Sequence, residues 1–163
     1  MSRRSYESDG ESDGESDGEM DGEVNGEVWG EGPVIVVHTA AQATAALGAA
    51  VRAGRAVVLA SSPDASASMG PGMFGAIIAA AREAEPDACA LAVLDCGERP
   101  GDAMAALREG IEAVCFRGAP EVAAKLADMA EQSGMRVLTE LPVSLDMAEI
   151  RDPEAAAFGL LSG

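Results

Sequence analysis

The feature that most constrains the fold is a segment pattern that recurs three times along the chain. The segments "AALGAAVRAGRAVVLASSP", "DAMAALREGIEAVCFRGAP" and "LADMAEQSGMRVLTELP" each read as helix, glycine, short apolar strand and proline. A glycine directly after a helix suits the left-handed conformation that ends it, which we expect at Gly54, Gly110 and Gly134. Repeated βα units of this kind predict a parallel sheet with right-handed crossovers.

The strands are predicted from short, nearly continuous apolar runs, which are typical of strands covered on both faces. Five such runs occur: Val34–Val37, Ala56–Ala60, Ala90–Leu94, Ala113–Phe116 and Arg136–Thr139. Helices are predicted between them, beginning at a Thr39–Gln42 capping box, near Pro71, from about Gly101 and at Pro120. Val51 on the first helix and Met129 on the fourth are assigned to buried faces.

This order of elements predicts an α/β fold of about five parallel strands with crossover helices. We expect an open, doubly wound, flavodoxin-like sheet, and the alternative is a sheet like half of a (β/α)8 barrel. The predicted domains are an acidic repeat tail over residues 1–32, a βα-repeat domain over 33–150, and a C-terminal tail or short packing helix over 151–163. In the last of these, Ala155–Leu161 is the apolar segment that would pack.

The first part of the chain is acidic and repetitive. Residues 8–31 read SDGE SDGE SDGE MDGE VNGE VWGE, and residues 1–33 hold about half of the formal net charge of −17. A glycine-rich, highly charged repeat buries too little apolar surface to order itself, so we expect this tail to be disordered. Nucleic acids and anionic membranes are not expected as partners, because both require a basic face.

The cellular location is predicted from cysteine usage and hydropathy. The three cysteines lie in or beside apolar runs, their number is odd and no CxxC motif occurs, which is typical of reduced thiols in a cytoplasmic protein. No run approaches the roughly 20 apolar residues that span a bilayer, and no apolar segment follows Arg3 and Arg4 as it would in a signal peptide.

Polar residues follow the predicted strands, and parallel strands bring them to one edge of the sheet. His38, the only histidine, is a candidate acid or base, with Asp95 or Glu140 as its catalytic partner. A metal trio of these residues has no support from their spacing, and no cofactor is predicted. Cys96 has weak support as a nucleophile, because it would have to use His38.

The predicted ligand-binding residues lie on two loops. Residues 61–72 form a long polar loop whose Ser61 and Ser62 follow a strand and whose Gly70 and Gly72 open a GxGxxG sequence before a helix. A phosphate-binding motif of this type follows the first strand through a tight turn. Here the motif follows the second strand, and Gly70 comes ten residues after Ala60, so it mainly predicts a helix entry rather than a phosphate cradle. Arg117 and Gly118 precede another helix and could hold an anion, although an ion pair of Arg117 with Asp95 or Glu140 is the stronger expectation.

Three functions follow from these residues. The first is a small cytoplasmic domain that binds a small anionic or polar molecule at the strand ends without turnover. The second is a lyase or isomerase with His38 as acid or base, since "ALREGIEAVCF" resembles the helix–Gly–strand step of aldolase-type barrels. The third is an assembly subunit whose alanine-rich helices pack against other copies in a homo-oligomer.

Overall fold

The structure, a computed structural model, describes residues 32–163. The acidic repeat and its predicted disorder therefore lie outside the described residues. The chain divides into two units between Gly32 and Pro33, and the second unit runs to Gly163. Everything below concerns this second unit.

Strands and helices alternate through the described residues. The strands are β1 (Val34–Val36), β2 (Val57–Ala60), β3 (Ala90–Asp95), β4 (Ala113–Cys115), β5 (Arg136–Leu138) and β6 (Leu145–Asp146). The helices are α1 (Ala40–Ala53), α2 (Pro71–Ala84), α3 (Pro100–Arg108), α4 (Pro120–Gln132) and α5 (Pro153–Ser162). A single 3-10 turn, Ala65–Ala67, interrupts residues 61–70, which we call the serine loop.

The strands form one parallel sheet in the order β5-β4-β3-β2-β1-β6. The predicted α/β class is thereby confirmed, with six strands and helical crossovers consistent with a flavodoxin-like arrangement. Strands β1 to β5 lie side by side in chain order, and β6 lies on the free side of β1. All five predicted strands form, within one residue of the expected limits.

The sheet is buried on both of its faces, as the continuous apolar runs predict. Ile35, Leu59 and Leu94 pack with helical residues in the main core. Alternate residues of a strand point to opposite faces, and the intervening Val36 and Ala60 are buried as well. Because these residues are small or β-branched, the strands suit a covered sheet with closely packed layers.

The helix ends follow the expected backbone chemistry. The side chain of Thr39 accepts a hydrogen bond from the Gln42 N–H at the start of α1. Gly54, Gly110 and Gly134 have φ angles of 66°, 86° and 74°, so the predicted left-handed conformation is confirmed at all three. Proline stands in the first turn of α2, α3, α4 and α5, where its missing N–H has no helical partner to lose.

Two side-chain predictions are wrong. Val51 is 39% exposed and Met129 is 41% exposed, although both were assigned to buried faces. The buried residues of α1 are centred on Ala43, Leu47 and Ala50, which leaves Val51 at the rim of that face. Helix α4 covers the edge strand β5, so one flank of the helix faces solvent and Met129 lies there.

Helix α5 closes the fold against α1. The Arg52 guanidinium donates to Glu154 Oε2 at 2.7 Å and lies 4.3 Å from the centroid of the Phe158 ring. Arg55 Nη1 donates to the Leu161 carbonyl oxygen at 2.8 Å. The C-terminal apolar segment is therefore a packed helix. None of the helices within residues 32–163 is long and apolar enough to cross a membrane.

The connection from β5 to β6 is short for two parallel strands at opposite sides of a sheet. We call residues 139–144 the crossing segment. From Leu138 to Leu145 an extended chain reaches about 24 Å, and five interstrand steps of about 4.8 Å across a flat sheet already require that length. Leu145 also pairs lower in the sheet than Leu138 does. The sheet must therefore curve, so that the crossing segment spans it over the carboxyl ends of the inner strands.

Candidate functional site

A carboxylate–guanidinium pair lies at the carboxyl ends of β3 and β4. Arg117 Nη2 donates to Asp95 Oδ2 at 2.6 Å, and Arg117 Nη1 donates to Cys115 Sγ at 2.7 Å. The Asp95 side chain is 3% exposed, whereas the Arg117 side chain is 38% exposed. The hydrogen bond to Asp95 raises the pKa of the Arg117 guanidinium. The ion pair expected from the sequence is thus present, and Asp95 rather than Glu140 is the partner.

The other oxygen of Asp95 organises the backbone around it. Asp95 Oδ1 accepts hydrogen bonds from the backbone N–H groups of Asp64 and Gly97, each at 3.0 Å. The Asp95 N–H in turn donates to Ser61 Oγ at 2.8 Å. Asp95 is therefore fully engaged by protein groups, as a buried carboxylate must be.

The serine loop is tied to the β3–α3 connection. Arg99 donates through Nη2 to the backbone oxygen of Asp64 at 3.2 Å and through Nε to Asp102 Oδ2 at 3.0 Å. Ser66 Oγ donates to the same Asp102 oxygen at 2.8 Å. Asp64 adopts a left-handed conformation with φ of 58°, which turns the chain towards these partners. The polar side chains that mark this loop in the sequence hold it in place.

A cavity of about 290 Å³ lies between these strand ends and the crossing segment. Its lining brings together Ser61, Asp95, Arg117 and Glu140 from the predicted site, along with residues the sequence did not indicate: Pro63, Thr139, Leu141 and Val143. Residues 139–143 make no hydrogen bond with the rest of the described residues. Up to Ser144, which bonds to Val34, the crossing segment therefore covers the cavity without a hydrogen bond to its walls.

His38 lies in a separate pair at the ends of β1 and β6. Its Nε2 is 2.7 Å from Asp146 Oδ1, which also accepts the Ala148 N–H at 2.8 Å. The backbone N–H of His38 donates to Gln42 Oε1, and Gln42 Nε2 donates to the backbone carbonyl oxygen of Met147. Partial burial alone would raise the pKa of Asp146, but the hydrogen bonds from His38 and Ala148 outweigh it and lower this pKa below its ordinary value.

The remaining predicted ligand-binding residues do not line the cavity. Ser62 is half-buried beside Ser61, and its carbonyl oxygen accepts from Ser61 Oγ. Gly70 and Gly72 begin α2, and a Cβ on Gly72 would lie 3.5 Å from Glu109 Oε1, on the side of α3. Gly118 packs under Phe116, where a Cβ would overlap the ring. The GxGxxG sequence therefore serves as the entry to a helix.

The buried thiols are poor nucleophiles. Desolvation raises the pKa of both Cys96 and Cys115 to about 11, even though the Arg117 charge partly offsets this at Cys115. Both thiols are therefore protonated at neutral pH. Within residues 32–163, no three histidine, cysteine or acidic side chains come together as a metal site would require.

The sequence analysis missed Asp146 and misassigned Thr139. Asp146 follows no apolar run long enough to be read as a strand, because β6 contains two residues. Thr139 was assigned to the end of β5, yet it begins the crossing segment. The histidine partner of Asp146 lies 108 residues earlier in the chain, so no local sequence pattern links the two. The sequence matches no protein-family model and no curated protein.

Proposed function

We propose that the folded unit binds a small polar molecule, without turnover, in the cavity at the carboxyl ends of β2, β3 and β4. The observation that carries this proposal is the enclosure of polar strand ends by the crossing segment, which leaves a space of about 290 Å³. Cavities that bind small molecules begin at about this size. Ligands of parallel α/β sheets also bind at this edge of the strands.

The charges of the lining narrow the class of ligand. Asp95 compensates the charge of Arg117 at 2.6 Å, and Glu140 adds a second negative charge without a hydrogen-bonding partner among the described residues. The cavity is therefore acidic in balance, which disfavours a multiply charged anion such as phosphate. Of the two predicted classes, anionic and polar, it favours a polar molecule.

The hydrogen-bonding groups narrow the ligand further. Glu140 can accept from a hydroxyl or ammonium group, and the guanidinium N–H groups that Asp95 and Cys115 leave unused can donate to a hydroxyl or carboxylate. A zwitterion or a polyhydroxyl compound supplies both. Binding without turnover is supported by the protonated thiols and by the position of His38 outside the cavity lining.

We retain a cytoplasmic location as part of the proposal. It is supported by Cys89, Cys96 and Cys115, which are all free thiols. Reduced cysteines are usual in that compartment.

A calorimetric screen of amino acids, polyols, sugars and inorganic phosphate tests the proposal. We expect a zwitterionic or polyhydroxyl compound to bind and phosphate to fail. Glu140→Gln should weaken binding about tenfold, as expected for loss of a charge-assisted hydrogen bond. Glu121→Gln, an exposed glutamate on α4, is the matched control and should leave binding unchanged. Preferential binding of phosphate, or equal affinity in Glu140→Gln, would contradict the proposal.

The His38–Asp146 pair favours acid–base catalysis as a second candidate function. A carboxylate that holds one ring nitrogen of a histidine leaves the other available for proton transfer. Asp146 would then take the role that the sequence analysis gave to Asp95 or Glu140. Conversion of a bound ligand, followed by NMR and abolished in His38→Gln while binding persists, would establish this function, and conversion retained in that variant would exclude it.

A further inference from the structure

A second, larger cavity lies at the other end of the strands. It measures about 920 Å³ and is bounded by α2, by the end of α3 and by the residues that lead into β4. Its origin is a difference in helix length, because α3 has 9 residues and α2 has 14. At 1.5 Å per residue, α3 leaves about 7 Å of its neighbour uncovered. We call this cavity the groove.

Most of the residues that line the groove are small or apolar. Ile78, Ala92 and Ile111 contribute to its lining, together with the exposed Ala76 and Ala80 of α2. Helix α2 carries no charged residue from Pro71 to Ala81, although many of its side chains face solvent. The exposed side of α4, by contrast, carries charged residues, as the solvent-facing side of a helix usually does. They are Glu121, Lys125 and Asp128.

Met73 extends this apolar surface along α2. It is 60% exposed, the highest value among the exposed large hydrophobic residues of the described chain. It lies three residues before Ala76 and seven before Ala80, so helical periodicity places all three on one face. Methionine is flexible and common on surfaces that bind other proteins. An exposed apolar helix face beside an open groove is typical of an interaction site.

The rim of the groove is acidic. Arg82 Nη2 donates to Glu112 Oε1 at 3.0 Å, so these two charges compensate each other. Glu83 and Glu109 are exposed and form no ion pair among the described residues. An occupant must therefore combine an apolar surface with positive charge.

We propose that the groove docks an amphipathic helix of another protein, with apolar side chains on one face and lysine or arginine on its flanks. The apolar face would cover Ala76, Ala80 and Ile111, and the flanking cations would pair with Glu83 and Glu109. A second copy of this chain fits less well, because its net charge of −17 would bring like charges together. This inference is independent of the proposed ligand cavity, which lies at the opposite end of the strands.

Titration calorimetry with the full chain tests the proposal. The probe is a synthetic helical peptide of leucine, alanine and lysine, and its comparison is a scrambled peptide of the same composition. We expect saturable binding of the helical peptide and at least tenfold weaker binding of the scrambled one. On the protein, the methyl NMR signals of Ile78 and Ile111 should shift, while that of Ile35 in β1 should not.

Matched variants separate docking in the groove from general attraction to an acidic chain. Ala80→Arg should weaken peptide binding at least tenfold, whereas Ala124→Arg, the same charge change on the exposed side of α4, should have little effect. Glu109→Lys should weaken binding more than Asp128→Lys, an exposed substitution on α4. Equal effects within either pair, or equal binding of the scrambled peptide, would overturn the proposal. So would a dimer of the protein that Ala80→Arg dissociates, because the groove would then belong to a second copy.

Discussion

Two stretches of chain lie over the carboxyl ends of the strands, and the structure holds them in opposite ways. The serine loop is fixed by Asp64, Ser66, Asp95 and Arg99, whose hydrogen bonds join it to the β3–α3 connection. The crossing segment has no such bonds from residue 139 to residue 143. The serine and aspartate residues that predicted a binding loop mainly anchor that loop, while the segment with fewer polar residues covers the cavity.

Removal of Asp95 should reduce stability more than the other substitutions, because Asp95 holds the serine loop in place. Asp95→Ala leaves the Arg117 guanidinium and the N–H groups of Asp64 and Gly97 without their acceptor. We expect the free energy of unfolding to fall by about 3 kcal/mol. Urea denaturation of both proteins measures this, and a loss below 1 kcal/mol would show that the serine loop is not held through Asp95.

Gly97→Ala should reduce stability by a smaller amount, because Gly97 lies against the serine loop. Gly97 has a φ of 56°, and a Cβ at this position would overlap the Asp64 carboxylate. Strain of this kind destabilises by about 1–3 kcal/mol. Thermal unfolding of Gly97→Ala, compared with Gly101→Ala in the open first turn of α3, measures it. Equal melting temperatures for the two variants would contradict the close approach of the two loops.

The pH dependence of stability tests the His38–Asp146 pair, which joins β6 to the end of β1 just after the crossing segment. The pKa of Asp146 is lowered in the folded state, so its contribution is fully present above about pH 4 and is lost as the pH falls through the folded value. The stability advantage of the wild type over Asp146→Asn should therefore be constant above about pH 4 and shrink as the pH falls below that value. Urea midpoints at several pH values measure the difference, and a constant difference would argue against the His38–Asp146 pair.

Glu140→Gln should have the smallest effect on stability. The Glu140 side chain has no hydrogen-bonding partner among the described residues, and exposed substitutions of this type change stability by at most about 0.5 kcal/mol. Urea denaturation checks this value alongside the binding experiment. A loss above 1 kcal/mol would mean that the crossing segment is anchored after all.

The sequence predicted the repeated part of the fold well and the closure of the sheet poorly. Five strands, the caps at Gly54, Gly110 and Gly134 and the helix starts all depend on local chemistry, which a single stretch of chain displays. Strand β6 is two residues long and is stabilised by β1, more than 100 residues earlier. No local pattern reveals such a pairing.

The candidate site was predictable to a similar extent. Asp95, Arg117, Ser61 and Glu140 meet because parallel strands end at one edge, and that rule needs only the strand positions. The partner of His38 was not predictable, since it lies on the unforeseen strand. The ion pair of Arg117 was expected, but the sequence could not show that Asp95 rather than Glu140 is its partner, or that Asp95 also accepts the Asp64 N–H, because both depend on side-chain geometry.

The return of β6 to β1 also has a consequence for the order in which the chain folds. Strands β1 to β5 are joined to their neighbours by single helices, so their contacts are local in sequence and can form early. The pairing of β6 with β1 and the packing of α5 on α1 join the two ends of the unit, and such distant contacts require a loop closure. We therefore expect the amide protons of β6 to become protected last during refolding, after the sheet that the crossing segment spans has formed.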